Sequence, residues 1–180
     1  MKGEQIERRA EKFEREALIH LDPLLRAAGR ARFRSRDAED IVQETYLRAW
    51  KYFDSFQEGT SCRAWLFGIM FNVINAKRDK EAKHAETPYE ENDSADYRRS
   101  NVVTFDPLRR IEGREVLETA NTLSEEHRAV LSLVVVEEFS YLEAATILQV
   151  PVGTVMSRLH RARRELRKRL LKEGAGEARA

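Results

Sequence analysis

Residues 140–170 read SYLEAATILQVPVGTVMSRLHRARRELRKRL and predict two helices joined by a tight turn. In the second helix the apolar side chains recur at helical spacing and define one buried stripe. That stripe comprises Val155, Leu159, Ala162, Leu166 and Leu170. At about 100° per residue, the opposite side is polar and cationic. It carries Ser157, His160, Arg161, Arg164 and Lys168. This combination is typical of a recognition helix that enters a DNA major groove.

The short segment between the two helices has the residues that a tight turn needs. Pro151 discourages further helix, and Gly153 tolerates the backbone geometry that a turn demands. Thr154 is predicted to cap the second helix. The alternative is a surface helix whose arginines are merely solvated. Because the turn, the cap and the separation of charge all agree, the sequence favours a helix-turn-helix that binds DNA.

Charge is unevenly distributed along the chain, although its 180 residues sum to a formal net charge of only +1. Residues 158–172 contain eight basic residues against one acid, and residues 79–96 contain seven acids against two lysines. Such asymmetry predicts separate working surfaces. The length suits one or two small domains, and a hydrophobic content of 42% is enough for a modest core.

Several classes of protein are disfavoured by composition. Cys62 is the single cysteine, so an intrachain disulfide is impossible and a cysteine-ligated metal site is not expected. We expect no cofactor. The N-terminus does not resemble a signal peptide. The longest apolar run, residues 130–136, is far shorter than the ~20 residues of a membrane span. We therefore expect no membrane insertion and a cytoplasmic location.

The periodic segments are helical, which predicts an all-α fold of two small helical domains. The domains are expected at residues 1–80 and 107–173, joined by a flexible acidic linker at 81–106 and followed by a tail at 174–180. Helices are predicted from Glu4 to Leu18 with a restart at Asp22, from Asp37 as N-cap to Phe53, from Thr60 or Ser61 to Lys80, from Pro107 to Thr119, and from Ser124 as N-cap.

The segment DAEDIVQETYLRAW, residues 37–50, predicts an amphipathic helix with an acidic outer side. Its inward side is expected to contain Ala38, Ile41, Val42, Thr45, Ala49, Tyr52 and Phe53. Its outward side, termed here the acidic stripe, contains Asp40, Gln43, Glu44, Leu47 and Lys51. The acidic stripe fits a docking face for a basic helical partner, and it equally fits an ordinary solvated face.

The next helix mixes aromatic side chains with amides and cations. Asn72, Asn75, Arg63, Lys77 and Arg78 accompany the aromatic residues Phe56, Trp65 and Phe67. Rings that stack on bases, together with cations and amides, are the ingredients of single-stranded DNA binding. The alternative is that these aromatic side chains are simply buried in a core.

Taken together, these segments resemble the extracytoplasmic-function sigma factors, the small two-domain class of the sigma-70 family of bacterial RNA polymerase specificity subunits. The resemblance lies in DAEDIVQETYLRAW (37–50), AWLF (64–67) and Asn72 in the first domain. In the second domain it lies in LSEEHRAVL (123–131), YLEAA (141–145) and PVGTVMSRLHRAR (151–163). The order and spacing of these motifs are more specific than any one of them.

The resemblance implies a transcription initiation factor that is not an enzyme, and it implies three sets of site residues. The acidic stripe would dock on the clamp helices of the largest subunit of core RNA polymerase. The loop from Phe56 to Cys62 and the helix after it would capture the melted −10 strand of promoter DNA. The residues of this −10 set are Phe56, Ser61, Arg63, Asn72, Asn75, Lys77 and Arg78. The −35 element would be read by Thr154, Ser157, Arg158, His160, Arg161, Arg164 and Lys168.

The chain departs from the class pattern at Gly68, Phe71 and Met156, which implies altered strand and −35 contacts. Met156, and the segment from Phe13 to Asp22, resemble a redox-stress branch whose members are held inactive by a small zinc-binding anti-sigma protein. The resemblance therefore implies an anti-sigma partner, and any zinc would belong to that partner.

Two other functions compete with this interpretation. A stand-alone helix-turn-helix regulator would bind duplex promoter DNA as a dimer. A metal-dependent nuclease would need clustered ligands, but the four histidines are scattered at His20, His84, His127 and His160. Carboxylates at Glu39, Asp40 and Glu44 could imitate a metal cluster, although nothing adjacent supplies a base.

Overall fold

The computed structural model describes residues 2–30, 35–85, 116 and 118–177. These residues contain seven α-helices and no strand, which confirms the predicted all-α class. The chain divides into two compact units, Met1–Ser100 and Asn101–Ala180. Most of the predicted linker, and nearly all of the helix predicted between Pro107 and Thr119, lie outside the described residues.

Residues 2–30 and 35–85 of the first unit contain four helices and two short 3₁₀ turns. The helices are α1 (Lys2–Ala17), α2 (Leu21–Arg30), α3 (Ser35–Lys51) and α4 (Cys62–Ala85), and the turns are Leu18–His20 and Phe53–Ser55. The core of this unit is apolar and draws on all four helices. Its most deeply buried side chains are Leu24, Ile41, Leu66, Phe67 and Met70. Burial of this kind stabilises a domain by about 1.5–3 kcal/mol for each large side chain.

Helix α3 buries the side that its periodicity predicts, with two corrections. The helix begins at Ser35 rather than at an Asp37 cap. The Asp37 carboxylate instead accepts a hydrogen bond of 2.5 Å from Lys77, which links α3 to α4. The helix ends at Lys51, and the following 3₁₀ turn changes the side-chain direction. Tyr52 is therefore 53% exposed rather than inward, whereas Phe53 is buried.

Helix α4 begins where the sequence predicts and continues further than expected. The Ser61 hydroxyl accepts a hydrogen bond of 3.1 Å from the Ala64 amide, which is the geometry of an N-cap. The helix then runs to Ala85, five residues beyond the predicted Lys80.

In its described part, the second unit contains three complete helices, a π-helical segment and the helical residues 116 and 118–121. The helices are α5 (Glu125–Leu131), α6 (Tyr141–Leu148) and α7 (Val152–Glu177), and the π segment is Ser132–Val136. A small apolar core joins them, formed mainly by Val130, Leu133, Ile147, Val155 and Leu159.

The helix caps of this unit differ from the prediction. Ser124 occupies the N-cap position of α5, but within the described segment its hydroxyl accepts no capping bond. The reciprocal cap lies at α6, where the Ser140 hydroxyl accepts from the Glu143 amide at 3.2 Å. The Glu143 carboxylate in turn accepts from the Ser140 amide at 2.9 Å.

The turn between α6 and α7 is made by Gln149, Val150 and Pro151. Gln149 adopts the left-handed conformation with φ 55°, and the Val150 amide donates to the Ala145 carbonyl at 3.1 Å. This closes α6 in the manner of a Schellman motif. The left-handed turn residue is therefore Gln149 and not Gly153, which lies inside α7.

Helix α7 also begins two residues before the predicted cap. The Pro151 carbonyl accepts from the Thr154 amide at 2.8 Å and from the Val155 amide at 3.2 Å, so the chain is already helical at Thr154 and Thr154 is not the N-cap. Proline is tolerated just before the first turn, because no helical hydrogen bond needs its missing amide proton there. The three-residue turn is the length found in helix-turn-helix motifs.

Candidate interfaces for DNA and RNA polymerase

Helix α7 has one buried and one exposed side, as its sequence predicts. Val155, Leu159 and Ala162 are at most 2% exposed, and Leu166 and Leu170 are half-buried. The five residues predicted for the opposite side are all exposed: Ser157, His160, Arg161, Arg164 and Lys168. We call these five residues the recognition face. It presents hydrogen-bonding groups towards the start of the helix and cations further along it.

Two residues of the predicted −35 set are engaged within the unit. The Arg158 guanidinium donates to the Glu126 carboxylate at 2.6 Å, and its side chain is only 23% exposed. Thr154 is half-buried, and its carbonyl accepts from the Ser157 hydroxyl at 3.1 Å. The ion pair with Glu126 therefore competes with any DNA contact by Arg158.

The single acid in the cationic part of α7 is neutralised by its neighbours. Glu165 accepts hydrogen bonds from Arg169 and lies 3.3 Å from Nδ1 of His127. The hydrogen bond from Arg169, followed by the charges of Arg169 and His127, lowers the pKa of the Glu165 carboxyl. Arg163 and Arg167 are exposed beside the recognition face, and the sequence analysis did not include them. Their spacing of three and seven residues from His160 was the signal that could have identified them.

The acidic stripe is on the surface of α3. Asp40, Gln43 and Lys51 are exposed, Leu47 is 60% exposed, and Glu44 is half-buried beside Arg48, which donates to it at 2.6 Å. A single exposed leucine is common on protein surfaces, so Leu47 indicates an interface only together with other exposed apolar groups beside it.

Tyr52 extends this face, although the sequence analysis placed it in the core. It lines an open depression of about 390 Å³ together with Glu44, Leu47, Arg48 and Lys51. The Lys51 ammonium lies 5.4 Å from the centre of the Tyr52 ring. The exposed apolar part of the stripe is therefore a leucine and a tyrosine, flanked by charges.

The segment between α3 and α4, residues 52–61, is termed here the capture loop. Gly59 has a positive φ of 82°, and the Thr60 amide donates to the Gln57 carbonyl at 3.2 Å. Within the loop, the Phe56 ring stacks on the Phe53 ring, with the two centroids 6.0 Å apart. The Phe56 centroid also lies 5.2 Å from that of the Trp65 ring. The half-buried Phe56 is thus part of an aromatic cluster at the surface.

The remaining −10 candidates do not form one patch on α4. Asn72 and Asn75 are exposed, whereas Arg63, Lys77 and Arg78 are half-buried. With 3.6 residues per turn and about 1.5 Å per residue, Arg63 and Asn72 lie on opposite sides of the helix and about 13 Å apart along it. The Arg63 guanidinium lies 5.4 Å from the Phe67 ring centre, and Lys77 is paired with Asp37.

Two cations of α1 that the sequence analysis missed contact the capture loop. Arg9 Nε donates to Asp54 at 2.9 Å and its Nη2 donates to the Trp50 carbonyl at 2.6 Å. Lys12 forms an ion pair with Glu58. These pairs join residues more than 40 positions apart, so local sequence patterns contain no signal for them.

The Cys62 thiol at the start of α4 is half-buried. Burial, followed by the nearby Glu16 carboxylate, raises the pKa of this thiol from 9 to about 11. The thiolate is the reactive form, so folding suppresses the reactivity of this cysteine.

We therefore expect Cys62 in the folded chain to react with iodoacetamide at pH 8 at least about tenfold more slowly than in urea, because the thiolate fraction falls by at least that factor. Mass spectrometry of quenched time points measures both rates. Equal rates would show that the thiol is not shielded.

Neither a metal centre nor a membrane span is found in the described part of the chain. No group of three His, Cys, Asp or Glu side chains there is arranged to hold a metal ion. None of the described helices combines the length and apolar character that crossing a bilayer requires.

Comparison with known proteins assigns both units to one family. Residues 18–83 match sigma-70 region 2, and residues 113–166 match sigma-70 region 4. The ECF RNA polymerase sigma factor EcfG of Rhodopseudomonas palustris (strain TIE-1) is 36% identical over 141 residues, covering 77% of this chain and 74% of EcfG.

Two solved structures of protein complexes are also similar to this chain. The sigma factor RpoE in complex with the anti-sigma factor NepR from Bartonella quintana has 31% identity and a TM-score of 0.69, covering 90% of this chain and 98% of RpoE. CnrH in complex with the cytosolic domain of CnrY has 28% identity and a TM-score of 0.63, covering 89% and 88% of the two chains.

The two exposed faces thus lie in the two regions that define a single family. The stand-alone regulator and the nuclease do not account for a region 2 match that includes the acidic stripe and the capture loop. The chain belongs to the extracytoplasmic-function sigma factors of the sigma-70 family and is an RNA polymerase sigma factor, a transcription initiation factor rather than an enzyme.

Proposed function

We propose that residues 1–80 bind core RNA polymerase and the −10 element, and that residues 107–173 bind the −35 element. The observation that carries this proposal is the exposure of both predicted faces. The acidic stripe on α3 and the recognition face on α7 are exposed in units whose cores are otherwise well packed.

The acidic stripe supplies the chemistry for polymerase docking. Asp40 and Gln43 offer oxygen acceptors, and Leu47 offers an apolar contact at the centre of the face. Tyr52 adds an amphipathic side chain at the edge of this face. A helical partner with basic side chains, as expected of the clamp helices of the largest subunit, would satisfy both components.

The recognition face supplies the chemistry for the −35 element. Residues near the start of a recognition helix approach base edges, which assigns that role to Ser157, His160 and Arg161. Arg164 and Lys168 lie further along α7 and are placed for phosphate contacts. Arg163 and Arg167 extend the cationic surface at its side.

The capture loop supplies the chemistry for the −10 element. It has an aromatic floor made by Phe53, Phe56 and Trp65 beneath an exposed loop that ends at Ser61. Aromatic side chains can hold a base that leaves the stack. Asn72 and Asn75 on exposed parts of α4 would contact the same strand further along, and Lys77 would do so only by leaving Asp37.

We further propose that an anti-sigma protein holds this sigma factor inactive in the cytoplasm. The similar structure of the sigma factor RpoE, bound to the anti-sigma factor NepR, supports this regulation. Membership of a redox-stress branch, with a zinc-binding partner, remains a hypothesis that rests on Met156 and the segment from Phe13 to Asp22. Co-purification of the chain with a protein encoded beside its gene, followed by metal analysis of that protein, tests both points.

Photo-crosslinking in the holoenzyme tests the assignment of DNA elements. Run-off transcription with core polymerase first identifies a promoter that depends on this chain. A photoreactive residue is then placed at Thr60 in the capture loop or at His160 in the recognition face. We expect crosslinks to the −10 strand and the −35 element respectively, and none from a matched position at the exposed Arg15 of α1. Crosslinks at exchanged or unrelated positions would refute the assignment.

A further inference from the structure

We propose that Arg9 and Lys12 of α1 are positioning residues that fix the capture loop and so determine how strictly the sigma factor selects its −10 sequence. This inference rests on the proposed role of the capture loop in −10 binding. It concerns α1, all of which lies before the residues that match sigma-70 region 2.

One side of α1 holds the capture loop at two points. Arg9 reaches Asp54 at 2.9 Å and the Trp50 carbonyl at 2.6 Å, close to where α3 ends. One turn later, Lys12 pairs with Glu58, on the other side of Phe56 in the sequence. The two cations thus fix the loop before and after the aromatic residue that is proposed to meet the base.

The same side of α1 also holds the aromatic floor of the loop. Phe13 is 8% exposed, and its ring meets the Phe53 ring edge-on with centroids 5.0 Å apart. Phe53 in turn stacks on Phe56. The Arg9 guanidinium also lies 4.3 Å from the centre of the Trp50 ring. A shift of α1 would therefore reach Phe56 through the rings as well as through the ion pairs.

The cations of α1 also compensate the negative charge of the capture loop. Asp54 and Glu58 place two carboxylates on a loop that is proposed to approach a DNA strand, and the side chains of both are at least 75% exposed. Carboxylates so placed repel phosphates. Arg9 and Lys12 compensate these charges while holding the loop in one position. The carboxylates therefore serve as attachment points for α1 instead of as DNA contacts.

Base discrimination is the readout that separates positioning from general stability. A recognition site works only when it is held close to its productive geometry, so a displaced loop is expected to discriminate less well between bases. The experiment uses holoenzyme and two promoters that differ by one base in the −10 element. The measured quantity is the ratio of their transcripts, together with core affinity and the thermal unfolding of each variant.

We expect Arg9→Ala and Lys12→Ala each to lower the transcript ratio by about fivefold, while core affinity stays within about twofold of the parent chain. The double variant Lys12→Glu, Glu58→Lys exchanges the two charges and keeps an ion pair at this place. We expect its transcript ratio to equal that of the parent chain. Arg15→Ala is the matched control. The Arg15 side chain lies on the same helix, is 72% exposed and forms an ion pair with its neighbour Glu16. We expect this substitution to leave the ratio unchanged.

Three results would overturn the inference: an unchanged ratio in both single variants, an equal loss of transcripts from both promoters, or the same loss with Arg15→Ala. Phe56→Leu, which keeps an apolar side chain but removes the ring, tests the capture loop itself. If Phe56→Leu lowers the ratio and the α1 variants do not, only this inference is wrong. If Phe56→Leu leaves the ratio unchanged, the proposed −10 role of the loop fails and this inference fails with it.

Discussion

Arg161→Ala and Arg164→Ala are each expected to weaken binding to the −35 element by about 1–3 kcal/mol. Both side chains are exposed on the recognition face, and Glu165, the acid beside them on α7, is bound by Arg169. If Arg161 contacts a base edge, its loss should also relax the sequence preference at one position. If Arg164 contacts a phosphate, its loss should lower affinity for all sequences alike.

Salt dependence distinguishes these two roles. Fluorescence anisotropy of a labelled promoter, titrated with holoenzyme at several salt concentrations, gives the affinity and its slope. A lost phosphate contact should reduce the slope of log affinity against log salt by about 1, whereas a lost base contact should leave that slope nearly unchanged. Arg15→Ala, which removes one cation from the first unit, is the control for net charge.

The placement of the recognition face can be contradicted directly. If both variants bind with the affinity and salt slope of the parent chain, then the −35 element meets a different side of α7. The exposed Arg163 and Arg167 would then be the residues to replace next.

The periodic parts of the fold could be predicted because burial follows helical spacing. Val155, Leu159 and Ala162 recur at such intervals, and the structure buries all three. The same reasoning predicted the exposed Leu47 on α3. In each case a stripe of several residues contributes to the signal, so one irregular position does not change the result.

Helix ends were harder to predict because single backbone interactions decide them. The sequence suggested a Thr154 side-chain cap, but the Pro151 carbonyl accepts the amide bonds and moves the start of α7 to Val152. Tyr52 was expected in the core because the spacing was extended beyond the end of α3. The helix stops at Lys51, and the 3₁₀ turn directs Tyr52 to solvent. Helix propensity gives little information about the residue at which a helix begins or ends.

The contacts between distant segments could not be predicted from local pattern at all. Arg9 and Asp54 are 45 positions apart and meet because α1 packs against the end of α3. The same limit applies to Arg158, which the sequence placed on DNA and whose guanidinium the structure pairs with Glu126. Cationic side chains on a helix have similar sequence signatures whether they meet a phosphate or a carboxylate of the same domain.

Reversing the charge at Asp40 is expected to have the largest effect on holoenzyme assembly. Asp40→Lys places a cation on an exposed acidic stripe that is proposed to meet basic clamp helices. Like charges brought together at an interface cost several kcal/mol, so the affinity for core polymerase should fall at least about a hundredfold. Titration of fluorescently labelled chain with core polymerase measures this affinity.

Two further variants show whether the loss arises at the stripe. Glu11→Lys makes the same change of charge at an exposed site on α1 and is expected to bind core polymerase like the parent chain. Leu47→Ala shortens the exposed apolar side chain at the centre of the stripe and should cost more than about 1 kcal/mol if Leu47 is a principal contact. Thermal unfolding should be unchanged in all three variants, since none of these residues belongs to the core.

The pattern across these variants separates docking from general electrostatic attraction. A loss in Asp40→Lys and Leu47→Ala, with none in Glu11→Lys, requires contact between α3 and the polymerase. Equal losses in Asp40→Lys and Glu11→Lys would show that net charge alone controls association. Normal assembly by Asp40→Lys would mean that the polymerase binds a different face.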